Sequence, residues 1–240
     1  ARSDLLRDPE YRSRFRKQWM NRFKGRAYHR DLAEARVVSC PDPGLVGRTF
    51  ADIASERGAD RVDTFLDLQA EFGNDLRWTT TVGNMNEDSV AWIVAHPQAQ
   101  IGFSDAGAHL RNMAFYNFPL HLLRLVRRRE QAGRPIMSIG RAVHRLTAEL
   151  ADYLGVDAGR LAVGKRADLV VVDPSALDDR IDDVVEAPMP GIDGLRRLVN
   201  RNDGVVRAVL VNGRTAWSGD VPAPGFGIDG GFGTVLRSTR

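Results

Sequence analysis

Residues 100–110 read QIGFSDAGAHL, and they hold the side chains most suited to chemistry. An apolar run, Ile101-Gly102-Phe103, stops at Ser104 and Asp105, and small residues then lead to His109 and Arg111. A carboxylate on such a turn, at the end of a strand-like run, is where α/β barrels place catalytic groups. There Asp105 can ligate a metal or move a proton. The same residue can equally cap a following helix. On local sequence alone both readings stay open.

The elements that must hold this turn follow from periodicity. Residues 35–39 (ARVVS) and 77–82 (RWTTTV) read as strands, and the run ending at Phe103 as a third. Between them lie a helix capped by Thr49 and running to about Arg57, and one with Val62, Phe65, Leu66, Leu68 and Phe72 at helical spacing. A further helix starts near residue 86 and ends at His96-Pro97. The alternation predicts an α/β fold with a parallel sheet covered by helices. Residues 118–129 form another expected helix, as do 138–154, the latter with Ile139, Val143, Leu146, Leu150 and Leu154 as its stripe and Gly155 as its end. From there the pattern turns to β. Residues 160–173 give a turn at Gly164 and a strand through Leu169 to Val172, and residues 205–217 give two runs joined by Asn212-Gly213, a strong hairpin signal. The expected division is therefore residues 1–154 and residues 155–240, with a Gly/Pro-rich extended tail.

Composition narrows the classes. At 43% hydrophobic and 27% charged, the 240 residues can build a core. The single cysteine, Cys40, excludes an internal disulfide and a multi-cysteine zinc site, and it fits a reducing, cytoplasmic setting. No apolar run approaches the ~20 residues of a membrane span. A net charge of +3 does not by itself imply nucleic acid. Residues 4–24 read as a helix whose apolar stripe includes Tyr11, Phe15 and Trp19, with a basic face of Arg12, Arg14, Arg16, Lys17, Arg22 and Lys24. That face, with Arg124–Arg129, reads either as a polyanion site or as solvated helix surface with acidic partners elsewhere. Cys40, His96, His121 and His144 read as structural or packing residues. The chain begins without Met inside a helix-like stretch, which predicts a piece of something longer.

Several motifs flank Asp105 in order. His96-Pro97 precedes IGFSD, Leu146-Thr147 leads to Leu154-Gly155, and residues 159–173 read GRLAVGKRADLVVVD. Pro188-Met189-Pro190-Gly191 with Arg197-Leu198-Val199 follows, then VLVNGRTAWSGD, then GTVLR at residues 233–237. This ordered set resembles the C-terminal half of the metal-dependent amidohydrolase superfamily, and most closely its N-acyl-D-amino-acid deacylase (D-aminoacylase) branch. The resemblance implies the C-terminal part of a (β/α)8 (TIM) barrel, followed by strands of a small β-sandwich assembled from both ends of the chain. It implies that Asp105 is the carboxylate of the last barrel strand, beside one or two divalent metal ions, usually zinc. A metal-bound water there has a pKa of roughly 7. Asp105 would accept its proton and deliver one to the departing amine of a small-molecule amide. Nucleic acid and membrane are not expected partners.

Two departures shape the expectation. No two of the five histidines are two residues apart, so the His-x-His pair of such enzymes has no match, and Cys40 is not at the position of the branch's bridging cysteine. A catalytic zinc site wants about three protein ligands. The chain alone is thus expected to hold zinc poorly and to be inactive, its natural partner being the missing N-terminal part of the same protein. Unpaired edges in such a piece predict oligomerisation. Second, Ala-Gly-Ala-His-Leu-Arg stands after Asp105 where the branch has Gly and a Pro-Arg element. Arg111 and His109 become the candidate substrate contacts, with His109 as a plain turn residue the other reading. The competing functions are a non-catalytic module and a polyanion-binding protein.

Overall fold

Asp8 and Pro9 divide the first expected helix in two. A computed structural model describes residues 2–21, 30–102, 104, 107, 109–189, 191–200 and 203–239, and these form two units, Ala1–Glu87 and Asp88–Arg240. Proline lacks an N–H and is accepted only at a helix start, so α1 (Arg2–Arg7) stops and α2 (Pro9–Trp19) begins behind it. Asp8 caps α2 by accepting from the Tyr11 N–H at 2.7 Å. Residues 22–24 of the expected helix lie outside the described residues.

In the first unit, β1 (Arg36–Ser39) leads into α3 (Phe50–Arg57), α4 (Arg61–Phe72) and β2 (Arg77–Thr79). Thr49 does cap α3, in a reciprocal capping box with Asp52. Phe50, Phe65 and Trp78 meet edge to face at 5.3–6.0 Å, a favoured aromatic geometry, and Phe15 and Trp19 extend the cluster. The basic face of α2 has acidic partners: Arg16 meets Asp63 at 2.5 Å, and Arg12 pairs with Asp63 and Asp67. The plain reading of that face therefore holds for these two arginines.

β1 and β2 pair antiparallel, as does every strand pair among the described residues, so the expected parallel pairing is not found there. A single helix between strands returns the chain for a parallel neighbour. Here two helices in succession bring it back at the opposite end.

In the second unit, α5 (Glu87–Ala95) is followed by α6 (Phe118–Gln131), α7 (Ile139–Leu146) and α8 (Ala148–Leu154). Leu122, Val126 and Ala142 form their core, with Val94, Ile101 and Met137 packed against it. The expected helix over 138–154 is thus broken, at Thr147, whose backbone leaves the helical region (φ −129°, ψ −91°). Its buried face also differs from the expected stripe. Ala142, Arg145, Ala148 and Ala151 are buried, whereas Ile139, Val143 and Leu154 are exposed. Gly155 closes α8 in the left-handed conformation, as expected.

The β part holds β3 (Leu169–Val172), β4 (Val184–Pro188), β5 (Arg196–Asn200), β6 (Val206–Val211), β7 (Arg214–Ser218) and β8 (Val221–Pro222). One antiparallel sheet runs β3-β6-β7-β8, and β4 and β5 form a separate hairpin. Asn212 and Gly213 turn β6 into β7 with φ of 51° and 78°, the left-handed pair that a tight hairpin demands. Leu177, Ile181 and Val205 pack with Leu120 of α6 in a second core, so β part and helices share one interior.

Candidate active site

Asp105, the leading sequence candidate, lies outside the described residues together with Phe103, Ala106 and Ala108. The chain on either side defines the frame. Residues 100–102 are coil rather than strand, because a strand exists only beside a bonded neighbour and none of the described strands runs along them. Ile101 packs into the core of α6 and α7. Gly102 faces Leu150 so closely that a Cβ there would stand 3.3 Å from its methyl group.

Upstream, α5 ends at Ala95 and the chain turns through His96-Pro97. His96 sits 5.1 Å from the Trp92 ring, and its Nδ1 accepts from the Gln98 N–H at 3.3 Å, consistent with a packing role. The turn is held from below by Arg145, which is 1% exposed. Its Nη1 donates to the carbonyls of Val94 at 2.6 Å and His96 at 3.0 Å, and its Nη2 donates to that of Ala99. Glu149 lies 3.3 Å from its Nε and is also paired with Arg141 at 2.6 Å. Sequence reasoning missed Arg145. The signal was its alignment with Ala142 and Ala148 on one helix face, with a glutamate four residues on.

Downstream, residues 109–113 form a turn in which the His109 carbonyl accepts from the N–H groups of Asn112 at 3.0 Å and Met113 at 2.9 Å. The Leu110 carbonyl accepts from the Leu198 N–H of β5 at 2.8 Å, which ties the turn to the β4–β5 hairpin. His109 and Arg111 are brought onto this one turn, and both are exposed. Among the described residues, no three His, Cys, Asp or Glu side chains are gathered where they could hold a metal ion.

Among the described residues, His121 and His144 have structural partners. His144 Nδ1 accepts from Arg141 at 2.9 Å. His121 lies 3.5 Å from Asp182; burial pushes its imidazole below the ordinary value, Asp182 opposes this, and Arg124 adds to the lowering. Arg124 in turn bonds Asp182 at 2.8 Å and Asp179 at 3.2 Å, Arg128 meets Asp179 at 3.2 Å, and Arg129 pairs with Asp88. The second basic stretch is thus also engaged by carboxylates.

The amidohydrolase family model matches residues 100–216, from the stretch that contains Asp105 in sequence to the β6–β7 hairpin. Uncharacterised proteins of Mycobacterium bovis and Mycobacterium tuberculosis are 47% identical over 241 residues, covering 100% of this chain. The chain spans 39% of the length of those relatives. Among solved structures, a D-aminoacylase is 25% identical with a TM-score of 0.48, over 86% of this chain and 38% of that one. An N-acyl-D-glutamate deacylase from Bordetella bronchiseptica, complexed with zinc and a phosphonate inhibitor, is 27% identical with a TM-score of 0.48, over 85% and 38%. No helix among the described residues is long and apolar enough to cross a membrane.

Proposed function

We propose that this chain is the C-terminal portion of a cytoplasmic, metal-dependent amidohydrolase that cleaves the C–N bond of an N-acyl-D-amino acid or a related small amide. The observation that carries this reading is the family match over residues 100–216, which begins at the very stretch that presents Asp105. On this reading residues 1–154 supply the last elements of a (β/α)8 barrel and residues 155–240 the strands of a small β-sandwich. The layer α5–α8 and the antiparallel sheet β3-β6-β7-β8 are compatible with it.

The described residues do not themselves fit a catalytic metal, since about three protein ligands are required and no such group is found among them. Asp105 is the one ligand we assign to this chain, and the others are assigned to the rest of the same protein, in a site of one or two divalent ions with zinc as the leading metal. The role of Asp105 follows from its carboxylate chemistry. It takes the proton of the attacking water as the amide carbonyl is approached, and then returns a proton to the amine nitrogen as the C–N bond breaks. Arg111 binds the substrate carboxylate, and His109 hydrogen-bonds substrate beside it.

The test is hydrolysis of N-acetyl-D- and N-acetyl-L-amino acids by the full-length protein, with the Asp105→Asn variant as control. Amine release by wild type and its loss in D105N are expected. A metal-loaded wild type inert toward the whole panel would favour a non-catalytic module.

A further inference from the structure

We infer that Arg145 is a positioning residue for the Asp105 segment, acting through the backbone of residues 94–99. The inference rests on the reading of Asp105 as the acid/base group. The last carbonyls of a helix have no partner within it, and a cation near that end is favoured. At the end of α5 one buried guanidinium gathers the carbonyls of Val94, His96 and Ala99, so the helix end and the turn after it share a single anchor. The arrangement needs a planar fork with several fixed donors, which arginine has and lysine lacks. It also needs a counter-charge, because an unpaired buried cation is strongly destabilising. Glu149 provides it from four residues along, at 3.3 Å.

What leaves this anchor is the candidate site. Gln100 follows Ala99 directly, Ile101 is set into the core, and Gly102 is held against Leu150. Residues 96–102 are therefore held from two sides, and the chain leaves Gly102 from a defined point. A displacement of about 1 Å in a reacting group can cost on the order of a hundredfold in rate. Arg145 touches neither substrate nor metal in this account; it sets where the chain departs.

The experiment compares R145M, R145K and D105N in the full-length protein, reading kcat, KM, far-UV circular dichroism and backbone hydrogen exchange over residues 96–104. In folded R145M we expect kcat to fall by about tenfold or more with KM changed less than about threefold. Exchange over residues 96–104 should quicken, and R145K should recover part of both losses. A folded R145M with wild-type kcat and wild-type exchange overturns the inference. Should R145M fail to fold, R145K decides, and wild-type behaviour in both readouts there overturns it equally. D105N separates the two proposals. If it keeps full activity the acid/base reading falls, and unchanged exchange in the Arg145 variants is then what defeats the anchor.

Discussion

On the proposed reading, Asp105 supplies the chemistry of the candidate site and Arg145 its placement. Removing the Asp105 carboxylate as D105N should lower kcat/KM of the full-length enzyme by about a thousandfold, within the range for a lost general acid/base. His121 offers a pH test away from that site. Its imidazole is held below its ordinary 6.5, chiefly by burial, so the neutral form is the one that fits the fold. The stability it supports is complete above pH 6.5 and declines as pH falls below that value, where the unfolded chain takes up the proton more readily. H121Q should flatten this decline in melting curves taken from about pH 7 to pH 5. Of these residues, Asp105 stood out in the sequence because an apolar run ending in a carboxylate is a recognisable pattern. Arg145 did not, because arginine is seldom fully buried, and its alignment with Ala142 and Ala148 is a weaker signal than a stripe of large apolar side chains.

Elements carry the motif that follows. Gly159 opens GRLAVGKRADLVVVD and lies on the break between α7 and α8. Its φ is +75°, and a Cβ there would stand 2.7 Å from the carbonyl carbon of Thr147, main chain that cannot swing aside. G159A should therefore lower the stability of the full-length protein by more than about 2 kcal/mol, adding a steric clash to the cost of a left-handed alanine. Ile181, fully buried between α6 and the β part, should cost about 2–4 kcal/mol as I181A, read from the shift in urea midpoint. The sequence made the β6–β7 hairpin legible because Asn212-Gly213 selects the turn chemically. It left β4–β5 unread: VVEAP and RRLVN lack a clean alternation, and their pairing of Val185 with Val199 spans a turn with no two-residue signal. The expected stripe on α7 and α8 failed for a related reason. Periodicity ranks side chains by size, whereas this face is lined by alanines that make room for Arg145.

For the whole molecule, the governing fact is length: the chain matches relatives of which it spans 39%. Large apolar side chains such as Leu161 and Ile228, 80% and 88% exposed, are more open than core-forming types usually are. We assign their cover to the remainder of the same protein, and a monomeric, monodisperse 240-residue chain in light scattering would contradict that assignment. Zinc titrated into the isolated chain should bind weakly and confer no amide hydrolysis. The most direct test is the rate at which the full-length, metal-loaded protein releases amine from N-acyl-D-amino acids, measured for wild type and D105N side by side. Turnover by wild type and a loss of about a thousandfold in D105N with the fold intact are expected. Equal rates in the two proteins would contradict that expectation.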